Sequence, residues 1–185
     1  MDRDRKILDA AAQLFYERGF HGASVDELGR RAGLSGPTLY RHFAGKNEIL
    51  AALFNQAMDE LVGATTVALE DPHDDLERLI RHHVRYSLDN RHLVNVYQRE
   101  GRSLVDPWRN HFGERRREYV GRWEDVIGRS FPGAEPAAVS VATQACLGMI
   151  FSIAYWPAKA ARTPEADHLV VHLVTDGLAT LATTA

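Results

Sequence analysis

The residues best suited to chemistry lie between positions 24 and 46. Ser24-Val-Asp-Glu27 has the pattern of a capping box, a hydroxyl residue followed three positions later by a carboxylate, and should open a helix. Gly33-Leu-Ser35 interrupts that helix, and Ser35 can cap a second short helix running to about Phe43. Two short helices joined by a three-residue turn containing glycine make a helix-turn-helix. The second helix of that motif lays its first residues against base edges in the major groove of DNA. Those residues here are Gly36, Pro37 and Thr38. Gly36 lets the backbone approach closely. The Pro37 ring and the Thr38 methyl suit thymine methyl groups, and the Thr38 hydroxyl can bond a base or a phosphate. Tyr40 and His42 follow with hydroxyl and imidazole donors suited to phosphates. Lys46 stands at the start of the next helix, where a cation is opposed by the helix dipole unless an anion such as phosphate also binds. Val25, Leu28, Leu39 and Phe43 are expected in the core rather than at the contact.

Catalytic patterns are missing. There is no Gly-x-Ser-x-Gly elbow, no dinucleotide glycine fingerprint and no zinc spacing, so an enzyme is not expected, nor a cofactor. Gly45-Lys46 ends like a phosphate loop, but Tyr40 stands where its first glycine belongs and Asn47 replaces Ser/Thr. His168 and His172, with Asp176, are spaced four apart on one helix. They read as a solvated or interfacial pair and not as a metal site. The single cysteine, Cys146, cannot form an internal disulfide and sits in an apolar run, which points to a buried thiol and a reducing, cytoplasmic setting. Asp2, Asp4 and Asp9 break the pattern of a signal peptide.

The elements that must position these residues read as helix after helix. Ile7, Ala11, Leu14 and Phe15 share one helix face, and Gly19 stops it with Phe20 placed to fold back. Val25, Leu28 and Ala32 line the inner face of the next. A longer helix carries Leu50, Leu53, Phe54, Ala57 and Leu61. Leu76, Leu79, Ile80, Val84 and Leu88 continue after the loop at Asp71–Asp75, and a short helix near 92–100 follows. Asp106-Pro107 should open another, with Trp108, Phe112, Tyr119, Trp123 and Val126 as its stripe. Pro136 opens a long apolar helix to about Ala160. Thr163-Pro164 opens the last, with Leu169, Leu173, Leu178 and Leu181 facing inward. The expected fold is all-α with about nine helices: a helix-turn-helix domain over 1–48 and a helical ligand-binding and dimerisation domain over 49–185.

The 185 residues carry 45% apolar and 25% charged side chains, an ordinary globular composition. The net charge of −3 argues against a nonspecific polyanion binder. Residues 1–50 nevertheless hold 8 Lys+Arg against 7 Asp+Glu, while the remainder hold 14 against 18, so the N-terminal part is the less repelled by phosphate. Residues 137–158 contain no charged side chain and are long enough to span a bilayer. Ser140, Thr143, Gln144 and Ser152 interrupt them, and a helix buried in a protein interface accounts for them better than a membrane.

The stretch Gly33-Leu-Ser-Gly-Pro-Thr-Leu-Tyr-Arg-His-Phe43, with Lys46 after it, resembles the tetracycline-repressor (TetR) family. The likeness extends back through Ile7–Phe20 and Ser24–Ala32. It implies a fold of nine or ten helices whose last two pair with a second subunit as a four-helix bundle. It implies double-stranded DNA as partner, bound by a homodimer at a palindromic operator and released, in the usual repressor sense, when a small molecule enters the C-terminal domain. Carried over position by position, it assigns base reading to Pro37 and Thr38, phosphate or sugar contacts to Tyr40, His42 and Lys46, and backbone contacts to Ser24 and Ser35. Gly36 replaces a longer side chain found in many members. For the effector, the aromatic residues Tyr97, Trp108, Phe112, Tyr119, Trp123, Phe151 and Tyr155 are the candidate lining of a hydrophobic site. The run Val96-Tyr-Gln-Arg-Glu-Gly-Arg-Ser-Leu104 is similar to members sensing acyl-CoA thioesters. That likeness would bring arginines such as Arg102 to the CoA phosphates; an unrelated hydrophobic drug or metabolite is the other effector reading. The competing class is a helical protein-interaction adaptor, which would show no salt-dependent DNA affinity.

Overall fold

The computed structural model describes residues 3–63, 65 and 68–183, and every regular element among them is helical. Ten α-helices follow in order: α1 (Arg3–Gly22), α2 (Val25–Ala32), α3 (Gly36–Tyr40), α4 (Lys46–Gly63), α5 (Pro72–Asp89), α6 (Arg91–Glu100), α7 (Trp108–Ser130), α8 (Pro136–Ser152), α9 (Ala158–Ala161) and α10 (Ala166–Ala179). Short 3-10 turns cover Gly101–Ser103, Ile153–Tyr155 and Thr180–Thr183. The helices form two compact units that do not follow chain order: Met1–Asp59 with His92–Glu114, and Glu60–Arg91 with Arg115–Ala185. The expected boundary at 48/49 thus falls near the start of α4, and the first unit also takes in α6.

In the first unit, α1 buries Ile7, Leu8, Ala11, Leu14 and Phe15, the i, i+3/i+4 stripe of an amphipathic helix. At Gly19 the backbone turns to φ 72°, ψ 162°, a conformation open to glycine alone. The kink sends Phe20 back against Phe15, edge to face with ring centroids 5.4 Å apart. Helix α2 packs on α1 and α3 on α2. One ion pair ties the first two helices at the surface, Arg31 of α2 donating to Glu17 of α1 at 2.7 Å, while Arg31 also reaches Glu27 within α2 at 3.3 Å. Phe54 of α4, Tyr97 of α6 and Phe112 of α7 form an aromatic trio with centroids 5.4–5.8 Å apart.

In the second unit, α5 packs against α8 and α10. Its buried stripe is Leu76, Leu79, Ile80, His83, Val84 and Ser87. Asp75, almost wholly buried, takes Arg78 at 2.6 Å and Arg129 of α7 at 2.9 Å. Burial alone would raise this carboxyl's pKa, but the hydrogen bonds from Arg129 and Arg78 outweigh it and hold it below the usual carboxylate range. The Ser130 hydroxyl donates to Pro72 O at 3.0 Å, joining the end of α7 to the start of α5.

Two expectations for the C-terminal helices need correction. The helix from Pro136 ends at Ser152 and not near Ala160. Pro157 lacks an N–H and excludes the α conformation from its predecessor, and Trp156 is accordingly extended at ψ 146°. The last helix starts at Ala166, after Glu165 at φ 63°, and its inward face is Val170, Val171, Val174 and Leu178. Leu178 and Leu181 are buried as expected, but Leu169 and Leu173 are 62% and 53% exposed. This helix is apolar on two faces, and one chain covers only one of them.

Candidate nucleic-acid interface

The helix-turn-helix is built from local hydrogen bonds. Ser24 adopts the extended conformation of an N-cap, and its Oγ accepts the Glu27 N–H at 3.1 Å. At the other end of α2, Gly33 sits in the left-handed region (φ 69°, ψ 31°), and its N–H donates to Arg30 O while Leu34 N–H donates to Gly29 O at 2.8 Å. Gly29 is needed there too, since a Cβ would stand 3.2 Å from Leu34 O. Ser35 then caps α3, its Oγ accepting from Thr38 N at 3.4 Å and sharing a 2.8 Å hydrogen bond with Thr38 Oγ1. Pro37 occupies the first turn, where a missing N–H costs nothing.

This geometry sorts the candidate residues. Leu39 and Phe43 are buried, Val25 half-buried, and Leu28 buried, while Ser24, Ser35, Pro37 and Tyr40 face solvent and Gly36 and Thr38 are partly exposed. Tyr40 is 55% exposed, so its hydroxyl is open to a partner. Arg41 reaches toward Thr38 Oγ1 at 3.4 Å. His42 points the other way with one nitrogen: Nδ1 lies 2.6 Å from Asp4 Oδ1 on α1, which leaves the Nε2 edge for an outside acceptor.

Lys46 meets a different arrangement from the phosphate contact expected of it. Its ammonium donates to the carbonyls of Phe20 at 3.0 Å, Ala23 at 3.3 Å and His21 at 3.4 Å, and sits 4.7 Å from the Phe20 ring centroid. A cation at a helix C-terminus satisfies orphan carbonyls and the negative end of the dipole. Lys46 therefore ties the start of α4 to the end of α1. The same end of α1 is held by α6. The Glu100 carboxylate, nearly buried, accepts the Phe20 N–H at 3.1 Å and the Ser103 hydroxyl at 3.2 Å, and Arg99 donates to Tyr16 O at 3.4 Å. His92 stacks on Tyr16 at 4.3 Å. Nothing in the sequence marks Glu100 for this task, because its partner lies eighty residues away.

The eight effector candidates do not form one group. Tyr97 and Phe112 belong to the aromatic trio of the first unit. Tyr119, Trp123 and Phe151 meet in the second unit around His83. The buried stripe of α5 puts His83 there. Its Nδ1 is 3.1 Å from the Tyr119 hydroxyl. Burial, reinforced by the neighbouring His82 charge, pushes its pKa from the ordinary 6.5 to about 3, and burial pushes the Tyr119 phenol up. Trp108 is half-buried, while Arg102 and Tyr155 are exposed and join neither group. Cys146 is buried, which pushes its thiol up to about 11. Among the described residues no group of three or more His, Cys, Asp or Glu could hold a metal.

Residues 7–53 match the family described as bacterial regulatory proteins, tetR family, and residues 69–179 match the tetracyclin repressor-like C-terminal domain. The chain belongs to the TetR family. The family is described as one of bacterial regulatory proteins, and the relatives FasR and KstR2 are named as transcriptional regulators. The transcriptional activator FasR of Mycolicibacterium smegmatis is 40% identical over 78 residues, 42% of this chain and 36% of that protein. The repressor KstR2 of Mycobacterium tuberculosis is 28% identical over 138 residues, 69% of this chain and 66% of its own. The matched parts thus span about a third and just under two thirds of these relatives. The fold of this TetR-family chain is also that of AibR in complex with isovaleryl coenzyme A and operator DNA (TM-score 0.80, 23% identity, covering 94% of this chain and 96% of AibR). Pro136–Tyr155 is long and apolar enough to cross a membrane by length and composition, with mean hydropathy 1.7. In a TetR-family protein the same stretch falls inside the matched C-terminal domain.

Proposed function

We propose that this protein is a cytoplasmic, dimeric repressor that binds a palindromic operator through residues 1–48 and leaves it when a small apolar effector enters the part of the chain that follows. The observation that carries the DNA reading is the presentation of α3. It is capped by Ser35, anchored by buried Leu39, and turns Pro37, Thr38 and Tyr40 outward. Thr38 and Pro37 would read bases close to Gly36, and Tyr40 and the Nε2 edge of His42 would take phosphates, with Ser24 and Ser35 beside the backbone. Lys46 serves DNA indirectly, by fixing the end of α1.

Dimerisation is assigned to α8 and α10. Val141 and Met149 on α8 are 70% and 42% exposed, and Leu169 and Leu173 on α10 are similarly bare. Two such helices from each of two chains would bury these side chains as a four-helix bundle. For the effector, an acyl-CoA is the favoured class: AibR, of the same fold, is known with isovaleryl coenzyme A, and the second unit holds a buried aromatic cluster able to line an acyl chain.

The test is selection of bound sites from a random duplex library at moderate salt. A palindrome with half-sites about one helical turn apart is expected. A folded protein that selects no motif would overturn the reading and leave a helical adaptor.

A further inference from the structure

The hydrogen bonding of His42 sets a condition on how it can meet DNA. Its Nδ1 lies 2.6 Å from Asp4 Oδ1 on α1, 38 residues away in the chain. A carboxylate accepts hydrogen bonds and a neutral imidazole carries a single N–H, so this contact places that hydrogen on Nδ1. The other nitrogen, Nε2, is then an acceptor. A phosphodiester oxygen is an acceptor too, and two acceptors do not bond. Nε2 can hold a phosphate only after it takes a proton and the ring becomes an imidazolium.

The surroundings admit that charge. Asp4 sets a carboxylate against the ring, and the His42 and Asp4 side chains remain 24% and 51% exposed, so a proton and a partner both have access. Charged groups of the neighbouring elements are engaged elsewhere. Arg41 reaches Thr38 Oγ1, and Lys46 donates to carbonyls at the end of α1. Glu27 pairs with Arg31, and Glu48 accepts the Ala44 N–H. Asp26 of α2 stands beside Gly36, at the opposite end of α3. Arg3 and Arg5 flank Asp4 on α1 and are exposed.

We infer that Asp4 is a positioning residue for DNA binding. It fixes the Nδ1–H of His42 and balances an imidazolium whose Nε2–H holds a backbone phosphate, so each chain takes one proton from the buffer as it binds. The inference rests on the proposal that His42 contacts DNA. It adds that affinity rises as pH falls through the range in which histidine ordinarily gains its charge, about pH 8 to 5. It also adds that a carboxylate beside a polyanion strengthens the complex.

The experiment follows the fluorescence anisotropy of a labelled mixed-sequence duplex at low and constant salt. A length of about 30 base pairs accommodates two half-sites a helical turn apart. Phosphate contacts do not depend on sequence, so the operator itself is not required. Wild-type protein should bind about tenfold more tightly at about pH 6.5 than at about pH 8.0. His42→Gln, which cannot take the proton, should lose most of that response. Asp4→Asn keeps an acceptor for the Nδ1–H and removes only the charge. It should bind about threefold more weakly than wild type at the lower pH, with a smaller pH response. Simple relief of repulsion between Asp4 and DNA would instead make this variant bind more tightly. That result, or a full pH response in either variant, would overturn the inference while leaving DNA binding intact. Folded wild-type protein that fails to bind the duplex at either pH would overturn the DNA reading and the inference together.

Discussion

His83 ties the stability of this regulator to pH. Its imidazole is fully buried, shares a hydrogen bond with Tyr119 and is pushed from a pKa of 6.5 to about 3. In the unfolded chain it returns to about 6.5. Between these two values the unfolded state binds the extra proton, so the neutral buried ring contributes stability that is fully present above pH 6.5 and is lost as pH falls toward 3. Between pH 7.5 and pH 5.0 the linkage amounts to about 2 kcal/mol per chain. The assay is urea denaturation at fixed protein concentration at both pH values, on wild type and His83→Gln. The variant should be the less stable at pH 7.5, since it disturbs the aromatic packing, but should lose about 2 kcal/mol less on acidification. Asp75, whose carboxyl is depressed, gives up its contribution at lower pH and does so equally in both proteins. Equal losses in wild type and variant would refute the burial argument for His83.

Other consequences follow from the same contacts. Lys46→Ala removes the donor to three carbonyls and should lower stability by about 1–2 kcal/mol. The variant's DNA affinity should fall while the slope of log affinity against log salt stays unchanged; a slope flatter by about one unit would mean that Lys46 does sit on a phosphate. Gly19→Ala places a Cβ 3.3 Å from Glu100 Oε1 at a backbone conformation reserved for glycine. A loss of about 1–3 kcal/mol in thermal or urea unfolding is expected, and a neutral substitution would show that the kink is not strained for other residues. Leu173→Glu puts a charge on the bare face of α10, and sedimentation should find it monomeric at concentrations where wild type is a dimer. A dimeric variant would move the interface elsewhere.

What sequence decides here is what operates within a turn or two of chain. Ser24 and Ser35 cap because an oxygen on a short side chain reaches an N–H three residues on. Gly33 ends α2 because only the left-handed region closes that cap. The order of helices and the identity of the helix-turn-helix follow from such signals and from apolar spacing, and they suffice to reveal the family. Pro157 belongs to the same class, since it keeps Trp156 out of the helical conformation. The remainder depends on which distant surfaces meet. Spacing cannot tell that Lys46 ends among the carbonyls of Phe20, His21 and Ala23, or that Glu100 takes the N–H of Phe20 across eighty residues. Nor can it tell which of two apolar faces of α10 a single chain covers, since Leu169 and Val170 are equally hydrophobic and differ only in where α5 and α8 lie. Periodicity identifies a buried stripe on α5, but only packing against α7 and α8 makes His83, Tyr119, Trp123 and Phe151 neighbours, because such ring contacts belong to the assembled core and not to any segment of it.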